Sequence, residues 1–300
     1  MSRIEPSSSL DEQKIYHVNS QAIRWMRHSI DQPLPEMGTI RFFFQTFWIA
    51  CCALSLMAQT RLLLGIPLTL GWLDGFVFGG TLFGYYCTHP NRWYRNVAWA
   101  AGFLGGICFL IPLVAAPEQI GAQLIVLTPV LFWLAYYGFQ RPGNAGLRSR
   151  LLAKPLTIAL TWAWVTVLLP TPFAEWPMLL FLLLGRAAFI FALALAYDLC
   201  DADYDLRHGL RTMTGALGFE KSIALIYKSL AFAGVCICVN LYFNIYDFPN
   251  GAGLAVSLGF STWWLQYLLQ KKDWESWQKP LIDGLMALQF LLVWLFSIQC

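Results

Sequence analysis

Apolar runs of about 20 residues follow one another along nearly the whole 300-residue chain, and a water-soluble core has no use for so many. They lie near 40–60, 66–87, 97–115, 119–138, 155–171, 177–198, 221–244, 251–270 and 280–299. About 20 mostly apolar residues are what an α-helix needs to cross a bilayer, because every backbone N–H and C=O must be satisfied inside the segment. The expected fold is therefore all-α: a polytopic membrane bundle of about nine transmembrane helices over residues 38–300, preceded by a polar segment, 1–37. Charged residues make up 12% of the chain, about half the roughly 25% of soluble domains, and mean hydropathy is +0.54. Pro112, Pro129 and Pro170 fall within or at the ends of runs, where neighbouring helices can satisfy the freed carbonyls.

Charge between the runs alternates. Basic residues mark the N-terminal segment (Arg3, Lys14, Arg24, Arg27, with Arg41 at the first helix edge), and the loops holding Arg92 and Arg95, Arg141 to Lys154, Arg207 to Lys221, and Lys271 to Lys279. In the loops between these, only Arg61 is basic. The positive-inside rule then predicts a cytoplasmic N-terminus and an external C-terminus, which requires an odd number of spans. The expected location is an integral membrane protein of the bacterial inner membrane. Residues 20–30 place Ile23, Met26 and Ile30 among Arg24, Arg27 and His28, a pattern suited to an interfacial helix.

Several function classes fall away. A net charge of +3, scattered along the chain, gives no footprint for nucleic acid. The eight cysteines make no C-x-x-C pair and mostly fall inside apolar runs, where they read as small packing residues. The four histidines lack ligand spacing, so no zinc site is expected.

One polar feature stands out. Asp198, Asp201, Asp203 and Asp205 crowd into eight positions where the sixth run meets the cytoplasmic side. If the helix continues, Asp198, Asp201 and Asp205 fall within roughly 60° of one another, while Asp203 points about 140° away from Asp198. Carboxylates on one stripe repel unless a cation holds them, and a helix C-terminus offers them no help. Mg²⁺ takes one or two protein carboxylates and completes its shell with water and phosphate oxygens. The following segment, Arg207-His208-Gly209-Leu210-Arg211-Thr212, supplies phosphate donors. The alternative is a solvated acidic loop balanced by Arg207 and Arg211.

The stretch Tyr197-Asp198-Leu199-Cys200-Asp201-Ala202-Asp203-Tyr204-Asp205, with Gly209, Arg211-Thr212 and Gly218 after it, resembles the second aspartate-rich motif of the UbiA-type intramembrane prenyltransferases. That resemblance implies a nine-helix fold with a cytoplasmic-side active site. It implies Mg²⁺ on Asp198, Asp201 and Asp205, and a prenyl diphosphate contacted by Arg211, Thr212, Arg92 and Lys154, with a hydrophobic acceptor in the lipid phase. The chain departs from the family at the first motif, N-x-x-x-D-x-x-x-D, since no acidic residue lies between Asp74 and Glu118, and Met213-Thr214 stands where Leu-Pro is usual. Arg92, Arg95 and His89 are the cations available on that side.

Three functional readings follow. The first is a Mg²⁺-dependent prenyltransferase with no identified general base. The second is a divergent relative that binds isoprenoid or lipid phosphate without transferring it. The third is an ion-coupled transporter using Asp198 or Asp74, for which no internal repeat is evident. Elsewhere, Arg141, Arg148 and Arg150 fit the positive-inside pattern, and Tyr136 and Tyr137 fit an interfacial belt. Asp74 and Arg186, charged residues inside runs, are expected to pair with each other, and Lys228 has either a structural or a cavity-facing role.

Overall fold

The computed structural model describes residues 39–87, 92–115, 153–171, 177–202, 212–270 and 278–298. These residues are mostly helical, with no β-strand among them. The elements are α1 (Thr39–Leu63), α2 (Trp72–Tyr86), α3 (Arg92–Ala115), α4 (Ala153–Ala163) continuing into a π-helical segment Trp164–Leu168, α5 (Leu180–Cys200), short α6 (Met213–Leu217), α7 (Phe219–Tyr242), α8 (Phe248–Gln270) and α9 (Gln278–Ile298). Four segments, Phe42–Leu63, Pro177–Cys200, Phe219–Tyr242 and Gln278–Ile298, are long and apolar enough to cross a membrane. Arg95–Ile111 and Lys154–Leu168 are shorter apolar helices. The fourth apolar run, 119–138, and the N-terminal segment with its expected interfacial helix lie outside the described residues, as do Tyr136, Tyr137, Arg141, Arg148 and Arg150.

The second run starts later than its hydropathy suggests. Residues 66–71 are not helical, and α2 begins at Trp72. Gly65 adopts φ +65°, a left-handed conformation that ends α1, and Pro67 follows in the same loop. Arg61 clasps this loop: its guanidinium donates to Thr69 O at 3.0 Å and to both carboxylate oxygens of Asp74, at 2.9 and 3.1 Å. Asp74 Oδ2 also accepts from Gly71 N at 2.7 Å, capping the start of α2.

Six helices form a closed ring of neighbours: α1 packs on α9, α9 on α8, α8 on α7, α7 on α5, α5 on α4, and the π-helical segment returns to α1. Helix α5 also reaches α9 and lies at the centre of the main core, where Phe189, Leu195 and Ala196 meet Leu56, Ile226, Leu265 and Ile282. The alanines Ala192 and Ala196 are fully buried, which lets neighbouring backbones come close. Helices α2 and α3 form a hairpin set against α1. Hydroxyls inside these helices bond to the carbonyl one turn back, as Thr81 does to Val77 O at 2.7 Å and Ser261 to Ser257 O at 2.8 Å, so they enter an apolar setting already satisfied.

The α2–α3 contact depends on Gly79. A Cβ there would lie 2.6 Å from Ala101 O and 3.1 Å from Gly105 Cα, both backbone atoms that cannot swing aside. A Cβ at neighbouring Gly80 meets nothing within 4 Å. Gly79→Leu is expected to lower stability by about 1–3 kcal/mol through overpacking, while Gly80→Ala stays within about 0.5 kcal/mol of wild type. Thermal unfolding of the two variants in detergent checks this, and equal melting temperatures would refute the close approach.

Candidate functional site

The last turn of α5 brings an aspartate into the bundle. Asp198 is 3% exposed, and its carboxylate pairs with the ammonium of Lys154, from the first turn of α4. One turn on, Asp201 pairs with Lys279 from the first turn of α9. Three helices thus meet through two ion pairs at one end of the ring. Both lysines are partly accessible, with 22% and 24% of their side-chain surface exposed.

Supporting contacts fix this end. Lys279 Nζ sits 5.3 Å from the centre of the Tyr197 ring, a cation–π distance. The Tyr197 hydroxyl accepts a hydrogen bond from the Gln45 side-chain amide of α1. Asp283, one turn after Lys279 in α9, is 8% exposed, and its Oδ2 has no hydrogen-bond partner among the described residues. Its backbone oxygen accepts from Cys52 Sγ at 3.3 Å. Thr212 is the N-cap of α6, its hydroxyl accepting from Gly215 N at 3.3 Å and lying 3.2 Å from Thr214 Oγ1. Thr214 in turn donates to the Asp198 carbonyl at 3.4 Å, so α6 is tied to the same turn of α5.

Of the residues singled out in the sequence, Asp198, Asp201, Lys154 and Thr212 are brought together. Asp205 and Arg211 lie outside the described residues, as do Asp203, Arg207 and His208. Arg92 is the first residue of α3, and its side chain lies outside the described set. No group of three His, Cys, Asp or Glu side chains suited to a metal gathers among the described residues. Nor does the helix run unbroken through the cluster: α5 ends at Cys200, and Asp201, at φ −97° and ψ 1°, makes the last ladder bond, to Tyr197 O at 3.1 Å. Turning the chain there lets the Asp201 carboxylate reach Lys279, relieving a negative charge at a helix C-terminus.

The expected pairing of Asp74 with Arg186 is not the one found. Asp74 belongs to Arg61, because its carboxylate caps the N-terminus of α2 where α1 ends. Arg186 lies deeper in the bundle and is held by neutral groups of α1 and the π-helical segment. Lys228 is exposed on α7. The reading of the sequence missed Tyr197's partner Gln45, the role of Lys279 beyond loop charge, and Asp283. The available signal was Asp283 itself, an acid inside the ninth apolar run four residues after a lysine.

An open apolar groove of about 730 Å³ between α7 and α8 is lined by Gly234, Cys238, Tyr242 and Leu258. It carries no charged side chain and lies at the other end of these helices, away from Asp198. Scans of protein-family models, of curated proteins and of solved structures each find no match to this chain.

The two ion pairs differ in depth, so their removal should differ in cost. Lys154→Met strands the buried Asp198 carboxylate and is expected to cost about 1–3 kcal/mol, below the roughly 3–5 kcal/mol of a fully buried pair because Lys154 keeps some solvent. Lys279→Met should cost less, about 1 kcal/mol, because Asp201 keeps more solvent than Asp198. Adding Asp198→Leu to Lys154→Met should restore part of the loss. Thermal unfolding of the three variants decides it, and a double variant less stable than Lys154→Met would contradict the pairing.

Proposed function

We propose that this chain is an integral membrane protein of about nine spans, with a cytoplasmic N-terminus and external C-terminus, that binds a prenyl diphosphate at the α4–α5–α9 end and transfers its prenyl group to a hydrophobic acceptor. The observation that carries the reading is the convergence of Asp198 and Asp201 with Lys154 and Lys279, from three helices, at one end of the bundle. The resemblance of residues 197–218 to the second aspartate-rich motif of UbiA-type prenyltransferases supports it, as do the alternating loop charges. The membrane expected is the bacterial inner membrane.

Mg²⁺ is the cation this reading assigns to the carboxylates. Two carboxylates one turn apart are what this ion takes from a protein, and each here holds an ammonium, which stands in for the positive charge the oxygens require. Asp198 and Asp201, with Asp205, would hold the metal, and the metal when bound supplies charge neutralisation of the leaving diphosphate. Lys154 and Lys279, partly exposed beside the carboxylates, are placed to exchange a carboxylate for a phosphate oxygen as the ligand enters. Thr212 offers a hydroxyl at the base of the site, and Arg92, at the start of α3, and Arg211 would add cationic charge. The apolar helix faces would take the isoprenoid tail.

A second reading, binding of an isoprenoid or lipid phosphate without transfer, is favoured by what occupies the end of α2. Where the family places its first acidic motif, this chain has Tyr86, fully buried, its hydroxyl bonded to Phe43 O at 3.1 Å and its ring stacked on Phe43 at 6.1 Å. An aromatic clasp there supports packing and leaves a diphosphate with acidic groups on one wall alone.

Topology is testable by fusion: a C-terminal alkaline phosphatase fusion should be active and a C-terminal green fluorescent protein fusion dark, and the reverse pattern would invert the orientation. Function is tested by binding farnesyl and geranylgeranyl diphosphate to detergent-purified protein, with Mg²⁺ and with chelator, beside an Asp198→Asn/Asp201→Asn variant. Binding should be lost on chelation and on substitution. Binding that is absent, or identical in all samples, would remove the diphosphate reading. Turnover with a panel of lipid-phase acceptors then separates transfer from binding alone.

A further inference from the structure

The pairing of aspartates with lysines at the polar end of the bundle leaves one acid over. Asp283 stands in the second turn of α9 and is 8% exposed, and its Oδ2 has no hydrogen-bond partner among the described residues. Tyr197 and Cys200 of α5 and Cys52 of α1 lie within its electrostatic reach, a phenol and two thiols that bring no positive charge. The cation whose field reaches it is Lys279, four residues earlier on the same helix. A buried carboxylate without a partner is costly, and packing alone would be served as well by a neutral side chain of the same shape. The bundle therefore holds, next to Lys279, an acceptor that this arrangement leaves unused.

Positions four apart on a helix are surface neighbours, with Cβ atoms about 5–6 Å apart. Side chains tilt toward the helix N-terminus, so the Asp283 carboxylate leans toward the turn that carries Lys279. The Lys279 ammonium is instead drawn off α9 to Asp201, and it passes 5.3 Å from the centre of the Tyr197 ring. Tyr197 feels both carboxylates, Asp283 and Asp201, so the ammonium rests beside a ring that borders the two. Lys279 and Asp201 keep 24% and 25% of their side-chain surfaces exposed, so their pair can open without unpacking the bundle. A lysine carries its charge on a flexible four-carbon stem, and moving it from one carboxylate to the other takes side-chain torsions alone.

We propose that Asp283 is a positioning residue, the second seat of the Lys279 ammonium: when an incoming cation takes the Asp201 carboxylate, Lys279 swings to the next turn of α9 and pairs with Asp283. The exchange leaves each carboxylate with one cation, the newcomer on Asp201 and the ammonium on Asp283. An ammonium has three N–H donors, so one can hold Asp283 while another faces a phosphate oxygen. That last role rests on the diphosphate reading above, and the seat itself does not.

The test takes Asp201 out of competition and reads thermal unfolding of the full chain in detergent. With Asp201 intact, Asp283→Asn should leave the melting temperature unchanged or raise it, because a neutral group of the same shape replaces an unpartnered buried charge. In an Asp201→Asn background Lys279 has moved to Asp283, and the same substitution should lower the melting temperature by several degrees. Adding Lys279→Met to Asp201→Asn should abolish that penalty, a dependence on the lysine that a packing role for Asp283 would not show. An Asp201→Asn/Asp283→Asn protein that does not fold, where each single variant does, reports the same coupling. An Asp283→Asn effect that is equal in the two backgrounds, or undiminished by Lys279→Met, overturns the proposal. Farnesyl diphosphate binding with Mg²⁺ keeps the two readings apart. Asp283→Asn should weaken it severalfold, and equal binding by the variant and wild type would overturn the role beside phosphate. Wild-type protein that binds none would remove the diphosphate reading, and the melting comparison would still decide the seat.

Discussion

Helix α5 has to carry both a guanidinium and a carboxylate through the most apolar part of this molecule, and the arrangement of the other helices answers that demand. Its candidate span has a mean hydropathy of 2.4, the highest of the four, yet Arg186 and Asp198 are both nearly inaccessible. An isolated charge in such surroundings is costly, so partners must come from neighbouring elements. They come from every side: Leu56, Gln59 and Thr60 of α1 and Thr166 of the π-helical segment meet Arg186, while Lys154 of α4 meets Asp198 and Lys279 of α9 meets the adjacent Asp201. Those polar contacts run between the same helices that close the ring, so hydrophobic packing and charge satisfaction select one arrangement.

The two charges are handled in chemically different ways. At Asp198 the partner is a lysine, a flexible cation with part of its surface still exposed, and an ammonium can leave a carboxylate for another anion without unfolding its helix. At Arg186 the partners are carbonyl, amide and hydroxyl oxygens on rigid helices, and the planar fork that holds them has nowhere else to go. One end of α5 is therefore suited to exchange of ligands, and the other to permanent fixation. This difference is why the aspartate end is the better candidate for chemistry, although the arginine is the more deeply embedded charge.

Much of this organisation is legible in the sequence, for identifiable reasons. The helical positions of α1, α5, α7, α8 and α9 match their apolar runs to within a few residues, since length and hydropathy together leave little freedom. The start of α2 does not, because a Gly65 turn, Pro67 and the Arg61 clasp take residues that hydropathy assigns to the helix. Asp198 and Asp201 were found because four acids crowd a single stretch of an acid-poor chain. Their lysine partners were not paired with them, since Lys154 and Lys279 lie 44 and 78 residues away and loop charge alone cannot say which helices will be neighbours. The Asp74–Arg186 expectation failed for a related reason: two opposite charges inside apolar runs suggest a pair, but Arg61, only 13 residues from Asp74, reaches it first across one short loop. Local geometry wins where it offers a bidentate fork and a helix N-terminus together.

The lack of acids between Asp74 and Glu118 gains a physical meaning from this arrangement. Acids on α2 would add like charge to a bundle whose α5 carboxylates already need cations. Instead Tyr86 closes that end of α2 against Phe42 and Phe43 of α1, and positive charge arrives from α4 and α9. Asp198 and Asp201 are thus each matched by a lysine before any ligand enters. If the site holds a diphosphate as proposed, two lysines already opposite two aspartates would divide the needed charge between metal and protein. On the binding reading that division is sufficient, because holding a diphosphate requires charge complementarity alone. On the transfer reading it must also stabilise the charge that develops as the prenyl group departs, and there Lys154 is the decisive residue, being the cation that shares the most buried carboxylate of the site.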